Sequence, residues 1–207
     1  MKKIRYIVVL SFVLCGVISV SAQSVAWGGT IRQELYTRYA NPTDDIAARS
    51  AGSALLNLGV GPKLWIGGGD FSFSPEASFM LSPLALSTGD FKGLGALSFP
   101  ILAKFEFFGN SNFNETGKFG FSIGGGLQYS RTELWYLKGS FEEEGVERSF
   151  FRTYVIEGDF GYGISGFDVH FFIRYGWSND TDANTLNIGI GYDFNVPKLK
   201  KATDAEF

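Results

Sequence analysis

Between Trp27 and Phe194 the chain repeats one pattern eight times: runs in which every second residue is apolar or aromatic, separated by polar, charged or glycine positions. The third run states it most cleanly, with Phe71, Phe73, Pro75, Ala77, Phe79 and Leu81 on one parity and Ser72, Ser74, Glu76 and Ser78 on the other. A strand points successive side chains to opposite faces, so each run is a surface with one apolar and one wet side. The first run, about Trp27 to Tyr39, sends Ile31, Leu35 and Tyr39 outward and Arg32, Glu34 and Arg38 inward. The second, about Ala54 to Ile66, sets Leu56, Leu58, Val60, Leu64 and Ile66 against Asn57, Gly59, Gly61 and Lys63. The fourth sets Leu97 to Phe107 against Ser98, Lys104 and Glu106, and the fifth sets Phe119 to Tyr129 against Ser122, Gly124, Gly126, Gln128 and Ser130. In the sixth, Tyr154, Ile156, Phe160 and Tyr162 oppose Thr153, Glu157 and Asp159, and Arg152 falls on the outer parity. A cation on the lipid face at mid-depth costs roughly 2–4 kcal/mol, which places Arg152 at a rim. The seventh opposes Phe167, Val169, Phe171, Ile173, Tyr175 and Trp177 to Asp168, His170 and Arg174; the eighth opposes Leu186 to Phe194 to Asn187, Gly189, Gly191 and Asp193.

No part of the chain after residue 22 holds eighteen consecutive apolar residues, which excludes a helical span there. Open strands do not cross lipid, because unpaired backbone groups cost several kcal/mol each in hydrocarbon. The pattern therefore predicts an all-β fold, an eight-stranded antiparallel up-and-down transmembrane β-barrel over residues 23–195. Its apolar parity faces lipid and its wet parity faces the lumen. The connections agree, alternating between long (40–53, 82–95, 132–149) and shorter (Gly67-Gly68-Gly69, Gly109 to Gly117, 163–166), before Ser178 to Asn184. Outer-membrane barrels have short periplasmic turns and longer outer loops. A ten-stranded ring is the competitor, because Thr132 to Phe151 could hold another hairpin. A soluble β-sandwich also alternates, but here one side would keep its Phe, Ile and Leu with no second sheet to cover them.

Residues 1–22 read as a signal peptide: Lys2, Lys3 and Arg5 precede an apolar run from Ile7 to Ile18, and Val20-Ser21-Ala22 supplies the small residues of a cleavage site. Cleavage after Ala22 removes the single cysteine, Cys15, and with it disulfide chemistry. It also moves the formal net charge from -3 to -6, since three cations leave and no anion does. An acidic chain of this kind excludes nucleic acid as a natural partner. Residues 196–207, with Pro197, Lys198, Lys200 and Lys201, carry no alternation and are expected to form a loose periplasmic tail.

Leu97-Ser98-Phe99-Pro100-Ile101-Leu102-Ala103-Lys104-Phe105-Glu106-Phe107, followed by Phe119-Gly120-Phe121-Ser122-Ile123-Gly124-Gly125-Gly126-Leu127-Gln128-Tyr129, resembles small outer-membrane β-barrel domain proteins of the PorT-like kind. In layout the chain resembles eight-stranded barrels of the OmpA and OmpX type. The resemblance implies the outer membrane as location, contact with outer-membrane lipid and lipopolysaccharide, and insertion by the barrel-assembly machinery. The run Leu186 to Phe194 looks like the aromatic-ended strand that this machinery reads, although thirteen residues, Asn195 to Phe207, still follow it.

Three kinds of chemistry compete for the inward residues. Arg32, Glu34, Arg38, Lys63, Glu76, Lys104, Glu106, Glu157, Asp159, Asp168 and Arg174 mix both signs across neighbouring strands. An eight-stranded lumen is only wide enough for its own side chains, so the set reads as a neutralised lumen charge network that His170 joins. A narrow pore is the second reading, against which stands the lack of one dominant sign. The third is a lipid-modifying enzyme around His170, the only histidine. The lipid A deacylases that the chain resembles in size carry a His-x-Ser pair facing lipid. Here the triplet is His170-Phe171-Phe172, on the lumen parity and without a positioned nucleophile. No catalytic residue, metal site or cofactor is therefore expected. Asp180-Thr181-Asp182-Ala183-Asn184 opens like a calcium loop but lacks its Gly and closing Glu, and Glu142-Glu143-Glu144 reads as a soluble turn. Trp27, Tyr39, Trp65, Tyr129, Trp135, Tyr175, Trp177 and Tyr192 are the candidate interfacial anchors, with Trp65 on the inner parity. The expected role is structural, assembly or surface-binding, with the loops at 40–53, 82–95 and 132–149 as sites for a protein or surface ligand.

Labelling from within the bilayer is expected to mark Phe73, Phe79 and Phe105 in preference to Ser72, Glu76 and Lys104. The reverse preference would overturn the assignment of the two faces.

Overall fold

A computed structural model describes residues 24–41, 48–52, 57–87, 93–136 and 149–204. The signal-peptide assignment, Leu56 and Glu142-Glu143-Glu144 lie outside these residues. The strands are β1 (Ser24–Asn41), β2 (Ala48–Gly52), β3 (Leu58–Gly68), β4 (Phe71–Ala77), β5 (Phe79–Ser87), β6 (Gly93–Phe108), β7 (Lys118–Tyr136), β8 (Phe151–Ile164), β9 (Phe167–Trp177) and β10 (Asn184–Asn195), followed by helix α1 (Val196–Asp204). All pairings are antiparallel and the sheet closes, with β1 bonded to β10 on one side and to β2 and β3 on the other. Two wall strands are built in two pieces. β2 and β3 together face β1, and β4 and β5 together face β6, so the ring has eight staves. The break at Ser78 is local, since its N–H still donates to the Pro100 carbonyl at 2.9 Å.

Closure follows from the alternation. Along β8 every residue from Phe151 to Ile164 switches between buried and exposed, and β9 and β10 continue the pattern. The outer wall is apolar: Leu58, Val60, Ile101, Ile123 and Phe160 are each about half exposed or more, with Ile156, Phe171 and Ile173 beside them. Rings of Phe71, Phe73, Phe105, Phe107 and Phe121 pack across neighbouring strands at 4.9–6.2 Å between centroids. Such cross-strand aromatic pairs stabilise a sheet by about 0.2–1 kcal/mol each.

The first strand departs from simple alternation. Glu34 pairs with Gly189 and Tyr36 with Ile188, leaving Leu35 as an extra residue in a β-bulge. One inserted residue moves every later side chain to the opposite face. Arg32 and Glu34 accordingly point in, but beyond the bulge Thr37 and Tyr39 are buried while Arg38 is exposed. This corrects two expectations together: Arg38 does not belong to the lumen set, and Tyr39 is not a wall anchor.

Strand structure extends into the connections expected from the sequence. Strand structure reaches Ser87 and resumes at Gly93, so most of 82–95 is extended hairpin; residues 40–53 include β2, and β7 runs on to Tyr136. At the opposite end, Ser165 and Gly166 form a two-residue hairpin turn with φ of 48° and 87°, the left-handed geometry that matches the twist of the flanking strands. The Gly109 to Gly117 turn folds into the mouth instead of hanging free. Its 3-10 turn, Gly109–Ser111, is buried, and the Ser111 hydroxyl lies within donating distance of two carbonyls, those of Gly69 (2.5 Å) and Phe108 (2.7 Å). The tail is not loose either. Residues 196–204 are helical, the Lys198 N–H donates to Asn195 Oδ1 at 3.2 Å, and Lys198 Nζ reaches Glu115 at 3.0 Å.

Deleting Leu35 removes only the unpaired residue, so this variant is expected to refold into a barrel with heat-dependent gel mobility. Deleting the paired Ile31 reverses the faces of one flank of β1, and loss of that mobility is the expected result.

Candidate functional site

Among the described residues, charged side chains gather out of water in the lumen. Looking inward, the structure places Arg32, Glu34, Lys63, Glu76, Lys104, Glu106, Glu157, Asp159, Asp168, His170 and Arg174 there, all 6% exposed or less, together with Asp193. Arg38 stands apart at the surface, donating to Asn184 Oδ1 at 2.9 Å.

Glu157 on β8 is the hub. Its Oε1 accepts from Arg32 Nη1 at 2.9 Å and from Lys104 Nζ at 3.3 Å, and its Oε2 accepts from Arg174 Nε at 2.6 Å. Arg32 reaches across to Glu76 as well, and the guanidinium groups of Arg32 and Arg174 both lie near the Phe172 ring, at 4.9 and 5.3 Å from its centre. The ring face is electron-rich, so Phe172 attracts both cations. Lys104 completes this layer through Asp159 at 2.8 Å and Glu76 at 3.2 Å.

A second layer lies toward the short turns. Lys63 binds Glu106 at 2.5 Å, Glu76 at 3.3 Å and also Asp193, and its ammonium sits 5.3 Å from the Trp65 ring. His170 Nδ1 is 2.7 Å from Asp168 and 4.0 Å from Asp193. Asp168, His170 and Asp193 are the donor set among the described residues closest to a metal-ligand arrangement. Of these three, Asp193 already serves a cation, since its Oδ2 is bonded to the Lys63 ammonium and lies 4.0 Å from His170 Nδ1. Toward the long loops neutral polar groups join the filling: Tyr39 donates to Ser98 (3.4 Å) and accepts from Asn187 (3.2 Å), while Arg174 donates to Gln128 (3.1 Å).

Glycines make the room. A Cβ at Gly124 would stand 2.4 Å from Lys104 Cγ, and one at Gly191 would stand 2.2 Å from His170 Nε2. Small residues opposite long ones let a narrow barrel hold Lys, Arg and His side chains at full length.

Sequence reasoning left three of these residues out of the charge set and its surroundings. Asp193 and Phe172 both fall on inward parities of their strands, and a strict parity count finds them. Glu133 is buried with a φ of 56°, inside an irregularity between β6 and β7 opposite Gly95 that no alternation reveals. Of the candidate anchors, Trp27, Tyr129, Trp135, Tyr175 and Trp177 are on the outer wall, whereas Trp65 is fully buried in the lumen. Arg152, at the start of β8, is exposed on the outer wall beside Asp180 (3.4 Å), as a rim position requires.

No family model matches the chain, and no curated protein matches it, so the PorT-like resemblance stands on β6 and β7 alone. Solved structures of similar fold include Neisserial surface protein A, with 9% identity and a TM-score of 0.45, covering 84% of this chain and 99% of that one. Another is the N-terminal β-barrel domain of OprF from Pseudomonas aeruginosa, with 10% identity and a TM-score of 0.42, covering 84% and 100%.

Glu157→Gln leaves Arg32, Arg174 and Lys104 short of their shared anion. Breaking a buried pair from one side costs about 3–5 kcal/mol, an expected loss readable from the urea midpoint of the refolded barrel. Asp180→Asn breaks an exposed pair and is expected to change the same midpoint by less than about 1 kcal/mol. The apolar outer wall, the charged filling and the closed antiparallel ring together make this chain a small outer-membrane β-barrel.

Proposed function

We propose that the protein is a closed, non-conducting barrel with a structural or surface-binding role in the outer membrane and no enzyme activity. The observation that carries this reading is the Glu157 hub, with Arg32, Lys104 and Arg174 converging on one carboxylate across the width of the lumen. An eight-stranded interior is just wide enough for side chains, and here the long charged ones are bonded to one another across the ring. The buried 3-10 turn at Gly109–Ser111 narrows the short-turn end further.

His170 does not support catalysis. Nδ1 is engaged by Asp168 and Nε2 lies against Gly191, so neither nitrogen is aimed at a hydroxyl nucleophile. The rigid wall leaves recognition to the outer loops and the rims. Lipid and lipopolysaccharide are the expected surroundings, and the barrel-assembly machinery the expected partner during insertion.

Purified barrel is expected to pass no steady current in planar bilayers, and discrete channels that vanish on refolding Lys104→Met would overturn the closed reading. Cells carrying His170→Ala are expected to show an unchanged lipid A mass spectrum. A changed spectrum would restore the enzyme.

A further inference from the structure

The lipid-facing wall is apolar almost throughout, yet two arginines stand on it side by side. Arg152 on β8 pairs directly with Tyr129 on β7, and Arg131 lies two residues further along β7 on the same face. Residues in this diagonal relation across antiparallel strands lie about 7–8 Å apart at Cα. Two guanidinium groups at that separation can grip one phosphate, each through paired N–H donors. Both are in the long-loop half of the barrel, the half that faces outward in an outer-membrane barrel.

Neither arginine is used up within the described residues. Arg152 meets Asp180 at 3.4 Å, with both side chains largely exposed, and its guanidinium lies 5.4 Å from the Tyr154 ring. Such an exposed pair contributes little and leaves most of the five N–H donors of Arg152 available. Arg131 makes no salt bridge among the described residues, and its Nε is buried without a hydrogen-bond partner. Directly beside them an open apolar groove runs between Phe99, Tyr129 and Phe150. The rings of Phe99 and Phe150 are 6.0 Å apart and form its walls. Tyr129 is therefore shared: it floors the groove and is the cross-strand partner of Arg152.

Cations on a lipid-facing wall are costly unless they reach an anion at the interface. A groove of aromatic rings next to them suits a hydrocarbon chain. One molecule offers both chemistries at this depth, a lipid whose phosphate and acyl chains are held together at the outer-leaflet interface. We propose that Arg131 and Arg152, with the groove of Phe99, Tyr129 and Phe150, form a binding site for one phosphorylated, acylated glycolipid of the outer leaflet. Its phosphate bridges the two arginines and one acyl chain fills the groove. The site rests on the reading of the wall as lipid-facing and gives the surface-binding role a ligand class.

The test is native mass spectrometry of the full-length mature barrel, released from micelles after incubation with diphosphorylated hexa-acyl lipid A. Heat-dependent gel mobility is measured on the same samples, so that failure to form a membrane barrel is seen separately from failure to bind. Wild type is expected to retain one lipid A. The double variant Arg131→Gln/Arg152→Gln is expected to retain at least tenfold less while keeping its heat-dependent mobility, and Arg38→Gln, an outward arginine elsewhere on the wall, is expected to bind like wild type. Lipid A stripped of phosphate is expected to bind wild type as weakly as intact lipid A binds the double variant, and Phe99→Ala is expected to weaken intact lipid A. Equal retention by wild type and the double variant would overturn the site. So would equal retention of phosphate-free lipid A or of phosphatidylglycerol, which would reduce the contact to general lipid adhesion.

Discussion

Hydrocarbon offers the backbone nothing to bond with, and the rest of the molecule follows from that. Every N–H and C=O between the two interfaces must find a partner within the sheet, which forces the ring shut along the β1–β10 seam. A ring of eight staves then encloses a lumen about as wide as the side chains that line it. What fills it must be side chains, and with lipid claiming the apolar parity, those side chains are the polar ones. The Glu157 hub and the two arginines gathered at Phe172 are thus consequences of closure, in a place where charges survive only in one another's company.

Much of this was legible in the alternation because the lipid face tolerates almost no exception. Seven of the eight runs keep the parity read from sequence over the part of the wall that the lipid covers. The run that fails does so at a single residue, Leu35, and the failure has a physical form. A bulge adds one residue without altering local composition, and Leu35, Tyr36 and Tyr39 are all plausible on either face. Only the pairing with β10 reveals which of them is extra. The polar ends were harder for another reason. Beyond the membrane the alternation carries no penalty for error, so the continuation of β5 and β7, the buried turn at Gly109–Ser111 and the helix after Asn195 leave no periodic trace.

The charge set was legible as a set but not as a wiring diagram. Parity predicts which groups share the lumen, whereas their partners depend on which strands face each other across the ring. Arg32 and Glu157 are 125 residues apart and Lys63 and Asp193 are 130 apart. The outer arginines show the converse case. Arg152 was visible as an anomaly on the wall, but its proximity to Arg131 and to the groove at Phe99 needs the β6–β7–β8 register to be known.

The glycines opposite Lys104 and His170 give the two faces of each strand different histories. Outside, one apolar side chain replaces another at small cost to its neighbours, and the wall drifts easily. Inside, bulk gained on one stave has to be surrendered on the next, so a lumen of this design changes two residues at a time or not at all. Descendants of such a barrel would diverge quickly where they touch lipid and slowly, in matched steps, where they touch themselves.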